Sequence, residues 1–201
     1  EAEIDEQAAS AGLTPEKLPE LLVETGLLKQ RSGTPAAGSS QEWYDVFRNR
    51  LIFPISRSDG APIAFGGRLL RKEANAPKYL NTSESVLYAK RRSFYGLHQA
   101  LPFVRKSRHV YLVEGYLDVL SMFQAGFPST IATCGTSVTA DHARMLGRFA
   151  SRLSIVFDGD TAGRKAAAHC FPVLLNSGVE IEVVLLPDGE DPDTLAQRLS
   201  H

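Results

Sequence analysis

The sequence predicts an α/β protein in which a mixed α+β amino-terminal subdomain precedes a Rossmann-like parallel sheet flanked by helices. The main support lies between His109 and Pro192, where four apolar, β-branched runs each stop at a polar cluster: HVYLVEGYLDVLSMFQ, STIATCGTS, RLSIVFDGDTAGRKAA and VEIEVVLLPDGEDPD. The first three lead into helix-like sequence, the alternation expected of βαβ units around a buried parallel sheet. A second observation is charge. Residues 48–108 hold 13 Lys/Arg against 3 Asp/Glu, whereas residues 109–201 hold 6 against 11, so a basic segment precedes an acidic one. Such polarity suggests a polyanion held by one part and acted on by the other. The reading divides the chain into a basic subdomain over 1–107, with 32–40 a linker or loop, and a sheet domain over 108–201.

At 201 residues, 43% hydrophobic and 22% charged, the composition is that of an ordinary globular protein. No apolar run approaches the roughly 20 residues needed to span a bilayer, so no membrane partner is expected. Cys134 and Cys170 lie in apolar surroundings and are expected to be reduced thiols of a cytoplasmic protein. The chain opens on Glu1 rather than Met, as a piece of a longer protein would.

Thr14-Pro15-Glu16 reads as a helix start, with Thr14 as the cap, and Leu18, Leu21, Leu22 and Thr25 continue one face until Gly26. Ser32–Ser40 (SGTPAAGSS) is the loop. The runs Arg50–Ser56 and Ala61–Leu70 are strand-like, joined by the turn signal Ser58-Asp59-Gly60, and Gly66-Gly67 permits a bulge or a close backbone approach. Arg48, Arg50 and Arg68 lie on or beside this hairpin. Beyond it, Lys and Arg interleave with Tyr79, Tyr88, Phe94 and Tyr95, a pattern that neutralises phosphates and offers faces to unpaired bases unless the rings are core.

Strands are expected near 109–114, 129–134, 152–158 and 179–186, with helices near 116–126, 140–149 and 161–176 and a kink at Pro172. Thr139 and Asp160 are candidate caps. Glu114, Asp158/Asp160 and Asp188/Glu190/Asp191/Asp193 each follow the carboxyl end of a strand, and parallel strands bring such ends to one edge. Converging carboxylates repel unless cations neutralise them, and an all-oxygen set suits Mg²⁺. Asp118, one turn into its helix, faces the same cleft or serves the positive helix end. Gly135-Thr136-Ser137 offers N–H groups and hydroxyls to a phosphate, or is an ordinary turn. Gly163-Arg164 sets a cation near a phosphate or in solvent. Asp141, His142, Glu180 and Glu182 read as surface or capping groups.

Glu after the first strand of the sheet and Asp-x-Asp after the third resemble the TOPRIM domain. The strings FRNRLIFPI, IAFGGR, PKYLN, YGL, VEGYLDV, GTSVTADH, FDGDTAGRKAA and PDGEDPDTL resemble the catalytic core of bacterial, DnaG-type DNA primases over about residues 45–199. The resemblance implies Glu114, Asp158 and Asp160 as principal acids, and Asp118, Asp191 and Asp193 as further metal ligands. It implies Arg48, Arg50, Arg68, Lys78, Asn81 and Lys90 as contacts to nucleic acid or nucleotide, to which the turn reading above adds Gly135 and Thr136 as candidates. The implied activity is synthesis of an RNA primer from ribonucleoside triphosphates on single-stranded DNA, with Mg²⁺ or Mn²⁺, in the cytoplasm at the replication fork. Zinc would belong to an amino-terminal domain outside this sequence. The replicative helicase would be met through another outside region, and the chain alone is expected to be weakly active. A metal-dependent nuclease and a non-catalytic DNA-binding scaffold are the alternatives.

Overall fold

The structure, a computed structural model, describes residues 12, 14, 17–30, 43–73 and 76–199; Pro15, Glu16 and the expected linker lie outside them. The chain forms two units, residues 1–52 with 64–88, and residues 53–63 with 89–201.

In the first unit, helix α1 (Leu18–Glu24) begins with Lys17 at its cap position and makes no side-chain cap. The Thr14 cap expected from sequence is therefore not made. Thr14 instead accepts the Lys17 and Leu18 N–H groups through its carbonyl. Gly26, at φ +73°, ends the helix as expected. β1 (Leu28–Gln30) and β2 (Trp43–Asp45) form an antiparallel pair that the sequence did not announce. β3 (Arg50–Ser56), β4 (Pro62–Leu69) and β5 (Tyr79–Asn81) follow in a three-stranded sheet of that order, with β5 antiparallel to β4; residues 53–56 of β3 and 62–63 of β4 are counted with the second unit. Gly67 makes a close approach: a Cβ there would lie 2.7 Å from the Phe47 ring and 2.9 Å from the Arg50 side chain.

The second unit holds a five-stranded sheet in the order β10-β9-β7-β8-β6. Its strands are β6 (Phe94–Tyr95), β7 (His109–Val113), β8 (Thr130–Thr133), β9 (Arg152–Val156) and β10 (Glu180–Val184). The last four are mutually parallel, and β6 runs antiparallel to β8. Helices α2 (Leu97–Ser107), α3 (Tyr116–Gln124), α4 (Ala140–Phe149), α5 (Thr161–Leu174) and α6 (Pro192–Leu199) complete the unit. Val110, Leu112, Ile131, Leu153 and Ile155 are wholly buried beneath apolar side chains of α2, α4 and α5. Each such residue contributes about 1.5–3 kcal/mol of burial free energy, which fixes the strand register. Pro172 lies within α5, which continues to Leu174 before tightening into a 3₁₀ turn at Leu175–Ser177.

Thr139 caps α4 as expected, accepting the His142 N–H. Of the two readings of His142, surface or capping, the structure bears out capping. It is wholly buried, accepting the Thr139 N–H at Nδ1 (3.2 Å), with Nε2 3.1 Å from the Ser93 carbonyl and its ring on Phe94. Among the described residues, no helix is long and apolar enough to cross a membrane.

Candidate active site

The acids of the second unit are set by the ends of three adjacent strands. Glu114 directly follows β7, and Gly115 opens α3. Asp118, in the first turn of α3, accepts the Gly115 N–H at 2.8 Å, so it serves the helix terminus and still faces its acidic neighbours. Asp158 and Asp160 follow β9. The Asp158 N–H lies 3.3 Å from Glu114 Oε1, which brings the two strand ends together. Asp160 caps α5 by accepting the Gly163 N–H at 2.8 Å. Capping and membership of the cluster are thus both served by one side chain.

The third strand end is the loop after β10. Asp191 accepts the Thr194 N–H at 2.7 Å while its own N–H donates to Thr194 Oγ1, a reciprocal cap for α6. Asp193 accepts from Ser121 on α3 and from Gln197. This loop is bound to the Asp158–Asp160 turn: the Gly159 N–H donates to the Glu190 carbonyl at 2.8 Å. Gly159 is needed for a reason other than turning. A Cβ there would stand 2.0 Å from the Pro187 carbonyl oxygen. Arg164 donates to the Gly159 carbonyl and pairs with Asp188, so it braces the two loops rather than standing free in solvent. Glu190 pairs with Arg198.

Electrostatics reports how near the acids are to one another. The Asp118 carboxyl is pushed up to about 6 by burial first, and then by the charges of Asp158, Asp191 and Asp193. Glu114 is raised by desolvation and next by Asp158, with smaller effects of Asp118 and Asp160. Asp158 is raised by desolvation, Asp191 and Asp160. Like charges act this way only at short range, so the six acids share one edge of the sheet. Among the described residues, no group of three or more His, Cys, Asp or Glu side chains is arranged to hold a metal ion as the side chains stand. The donor set nevertheless suits a hard divalent cation. It is all carboxylate oxygen, Glu114, Asp118 and Asp158 are raised by burial first and then by neighbouring carboxylate charge that a cation would offset, and Asp158 has no partner for its carboxylate among the described residues.

Beside Glu114 opens a cleft of about 660 Å³ lined by Gly135, Thr136 and Ser137 of the turn after β8, and by Lys165 and His169 of α5. The candidate phosphate turn therefore adjoins the acids. Lys165 and His169 were missed by the sequence reading. Their i,i+4 spacing, which sets both on one helix face behind the Asp-x-Asp turn, was the available signal.

The basic residues of the first unit are largely engaged. Arg50 donates to the Gly67 and Lys78 carbonyls, at 3.2 and 3.4 Å, and so ties the strands. Arg48 lies over the Tyr44 ring, 5.1 Å from its centroid. Arg68 faces Tyr79 across the β4–β5 pair, and Lys78 lies over the Tyr79 ring. Asn81 ends β5 opposite Gly66, and Lys90, in the second unit, opens the 3₁₀ turn Lys90–Arg92. Of the four rings read as faces for bases, Tyr88, Phe94 and Tyr95 are buried core and only Tyr79 is exposed. The basic-aromatic alternation alone could not tell these apart.

Residues 7–101 match the family of the DNA primase catalytic core, N-terminal domain, and residues 111–196 match the Toprim-like family, a fold that implies divalent-cation binding. A DNA primase of Halalkalibacterium halodurans is 42% identical over 175 residues, 87% of this chain and 28% of that protein. Among solved structures, the Aquifex aeolicus primase (zinc-binding and RNA polymerase domains) aligns with a TM-score of 0.80 at 34% identity, covering 93% of this chain and 47% of that one. A DnaG primase catalytic domain bound to single-stranded DNA aligns with a TM-score of 0.79 at 36% identity, covering 96% and 58%. The chain spans less than a third of the length of the H. halodurans primase. With both halves of the core matched in order, the chain belongs to the bacterial DNA primase family, as the amino-terminal part of the catalytic core joined to its Toprim domain.

Proposed function

We propose that this chain carries the nucleotidyl-transfer centre of a primase, joining ribonucleoside triphosphates into a short RNA primer on a single-stranded DNA template. The observation that carries the reading is the meeting of Glu114 with the Asp158–Asp160 turn, at the 3.3 Å approach of the Asp158 N–H to the Glu114 carboxylate. In this reaction a 3′-hydroxyl oxygen bonds to the α-phosphorus of the next triphosphate, pyrophosphate leaves, and the hydroxyl proton passes to a base. When bound, Mg²⁺ or Mn²⁺ would neutralise triphosphate charge and stabilise charge growing on the reacting oxygens. Glu114, Asp118, Asp158, Asp160, Asp191 and Asp193 are the residues that would hold it.

Glu114, whose carboxyl is raised by burial and next by the Asp158 charge, would either hold the cation or accept the hydroxyl proton. The Gly135–Ser137 turn and Lys165, on the same cleft, would orient the phosphates, and orientation supplies much of the rate in phosphoryl transfer. Arg48, Arg50, Arg68, Lys78, Asn81 and Lys90 would hold template and nucleotide, and the cytoplasm is the inferred compartment. Division into a basic subdomain over 1–107 and a metal-binding domain over 108–201 fits this division of labour. The test is primer synthesis by the full-length protein carrying Glu114→Ala or Asp158→Ala. Loss of synthesis with retained folding is expected, and near-normal synthesis by either variant rejects the assignment.

A further inference from the structure

A second cleft lies at the other end of the parallel sheet. Arg108 immediately precedes β7 and Glu114 immediately follows it, so the two residues are separated by about 20 Å of extended chain. The cleft encloses about 600 Å³. Its floor is apolar: Phe94, Leu97 and Leu101 are buried there, and Met145 and Phe149 stand half-buried at its side. Its rim carries Arg92, Arg105, Arg108 and Arg148, contributed by the 3₁₀ turn, by α2 and the residue after it, and by α4. All four are exposed. None forms an ion pair among the described residues, and no Asp or Glu lines the cleft. Arg57, also on the rim, is neutralised by Asp59.

Four unpaired guanidinium groups held around one apolar floor repel one another. Such an arrangement is stabilised by an anion that spans several of them. Every cation lining this cleft is arginine and none is lysine. The planar guanidinium grips phosphate in bidentate fashion and stacks on bases, which a lysine ammonium does not do. Leu97, Leu101 and Arg105 recur every four residues along one face of α2, and Arg108 follows directly after the helix, so charge and apolar floor adjoin. The floor offers an aromatic ring and a thioether to a base while the rim meets the phosphates.

We propose that this cleft binds a segment of single-stranded nucleic acid at a place separate from the carboxylate cluster. The proposal rests on reading the chain as a nucleic-acid polymerase, which favours a nucleotide strand over an acidic peptide for the same charges. Its function would be to hold template or primer away from the reacting centre, so that the strand stays associated between additions.

The experiment is fluorescence anisotropy of labelled dT and U oligomers titrated with the whole 201-residue chain over a series of salt concentrations. The triple variant Arg105→Ala/Arg108→Ala/Arg148→Ala is expected to bind about tenfold more weakly. Its slope of log affinity against log salt should be shallower by about 2, from about 0.7 per lost phosphate contact on a single strand. The triple Arg→Lys variant should keep most of that slope. Lys106→Ala, on the same helix but outside this cleft, should leave the binding unchanged. A preference for dT assigns the cleft to template and a preference for U assigns it to primer; either supports the proposal. An unaltered slope and affinity in the Ala variant, while the unsubstituted chain binds well, overturns this proposal and leaves the proposed function standing. Loss of a glutamate-rich, Phe-containing decapeptide from the Ala variant, with oligomer binding intact, also overturns it by making the occupant a protein. Failure of the unsubstituted chain to bind either oligomer removes both this proposal and the nucleic-acid reading beneath it.

Discussion

The Gly159 N–H donates to the Glu190 carbonyl oxygen at 2.8 Å, across a separation where no side chain fits between residue 159 and Pro187. This contact, with the Arg164 brace between Gly159 and Asp188, joins the loop after β9 to the loop after β10, and with it Asp158 and Asp160 to Asp191. Alanine at 159 would set its Cβ 2.0 Å from the Pro187 oxygen, and backbone must move to relieve it. Gly159→Ala is expected to cost about 2 kcal/mol of stability by urea denaturation. It should also weaken Mn²⁺ binding by calorimetry, because the acids on the two loops separate. Unchanged stability and metal affinity would contradict the close packing of the loops.

Asp118 makes a pH prediction whose sign follows from burial. Its carboxyl is raised from 3.8 to about 6, so between these values the folded chain holds more proton than the unfolded chain. Without metal, this group's contribution therefore favours folding as pH falls from 6 toward 4, and is lost as pH rises through 6. At pH 7 the charged form destabilises the metal-free fold by up to about 3 kcal/mol. Asp118→Asn should melt higher than the parent at pH 7, with the difference closing toward zero by pH 4. Melting curves of both proteins in chelator, from pH 4 to 8, measure it.

Divalent cation should reverse the penalty that the acids impose on one another. Mn²⁺ at about 100 times its dissociation constant is expected to add about 2.7 kcal/mol to the stability of the parent chain. Glu114→Gln and Asp158→Asn should each raise the melting temperature in chelator and abolish most of the Mn²⁺ gain. A full Mn²⁺ gain in both variants would remove these two side chains from the metal site.

His142 gives the opposite pH behaviour. It is buried against Phe94 and spans Thr139 and Ser93, and desolvation lowers its titration below 6.5 despite opposing carbonyl contacts. Its contribution is present above the ordinary histidine value and is lost as pH falls through the depressed one. His142→Ala is expected to cost about 3 kcal/mol at pH 8, from lost packing and an orphaned Ser93 carbonyl. The gap to the parent should narrow as pH is lowered toward 5, measured by chemical denaturation.

Much of the sheet domain was legible because its signals are local. Helix α4 has the expected bounds, since Thr139 supplies a cap and the apolar spacing inside it is regular. The strands end where β-branched runs give way to Glu114 and Asp158. Helix α2 was not foreseen, because Pro102 lies inside it and Gly96 stands at its start with φ +78°. Leu97, Leu101 and Val104, buried at helical spacing, were the signal for it. The choice between base-facing and core rings stayed open in the sequence because burial of Tyr88, Phe94 and Tyr95 is decided by tertiary packing, which alternation with Lys and Arg does not encode. Gly159 is constrained by the Pro187 carbonyl, 28 residues later in the chain, a contact that local sequence does not encode. The convergence of the acids was foreseeable from topology alone, because parallel strands share an edge.

The strand order carries a consequence for biosynthesis. β9 lies between β7 and β10, so the cluster is assembled from neighbours in space that leave the ribosome at different times. A nascent chain that has released Glu114 and Asp158 still lacks the last carboxylates and the loop that clasps Gly159. The centre therefore cannot be completed until translation has passed Asp193, and a polypeptide aborted before that point displays the first acids without the partners that hold them in register.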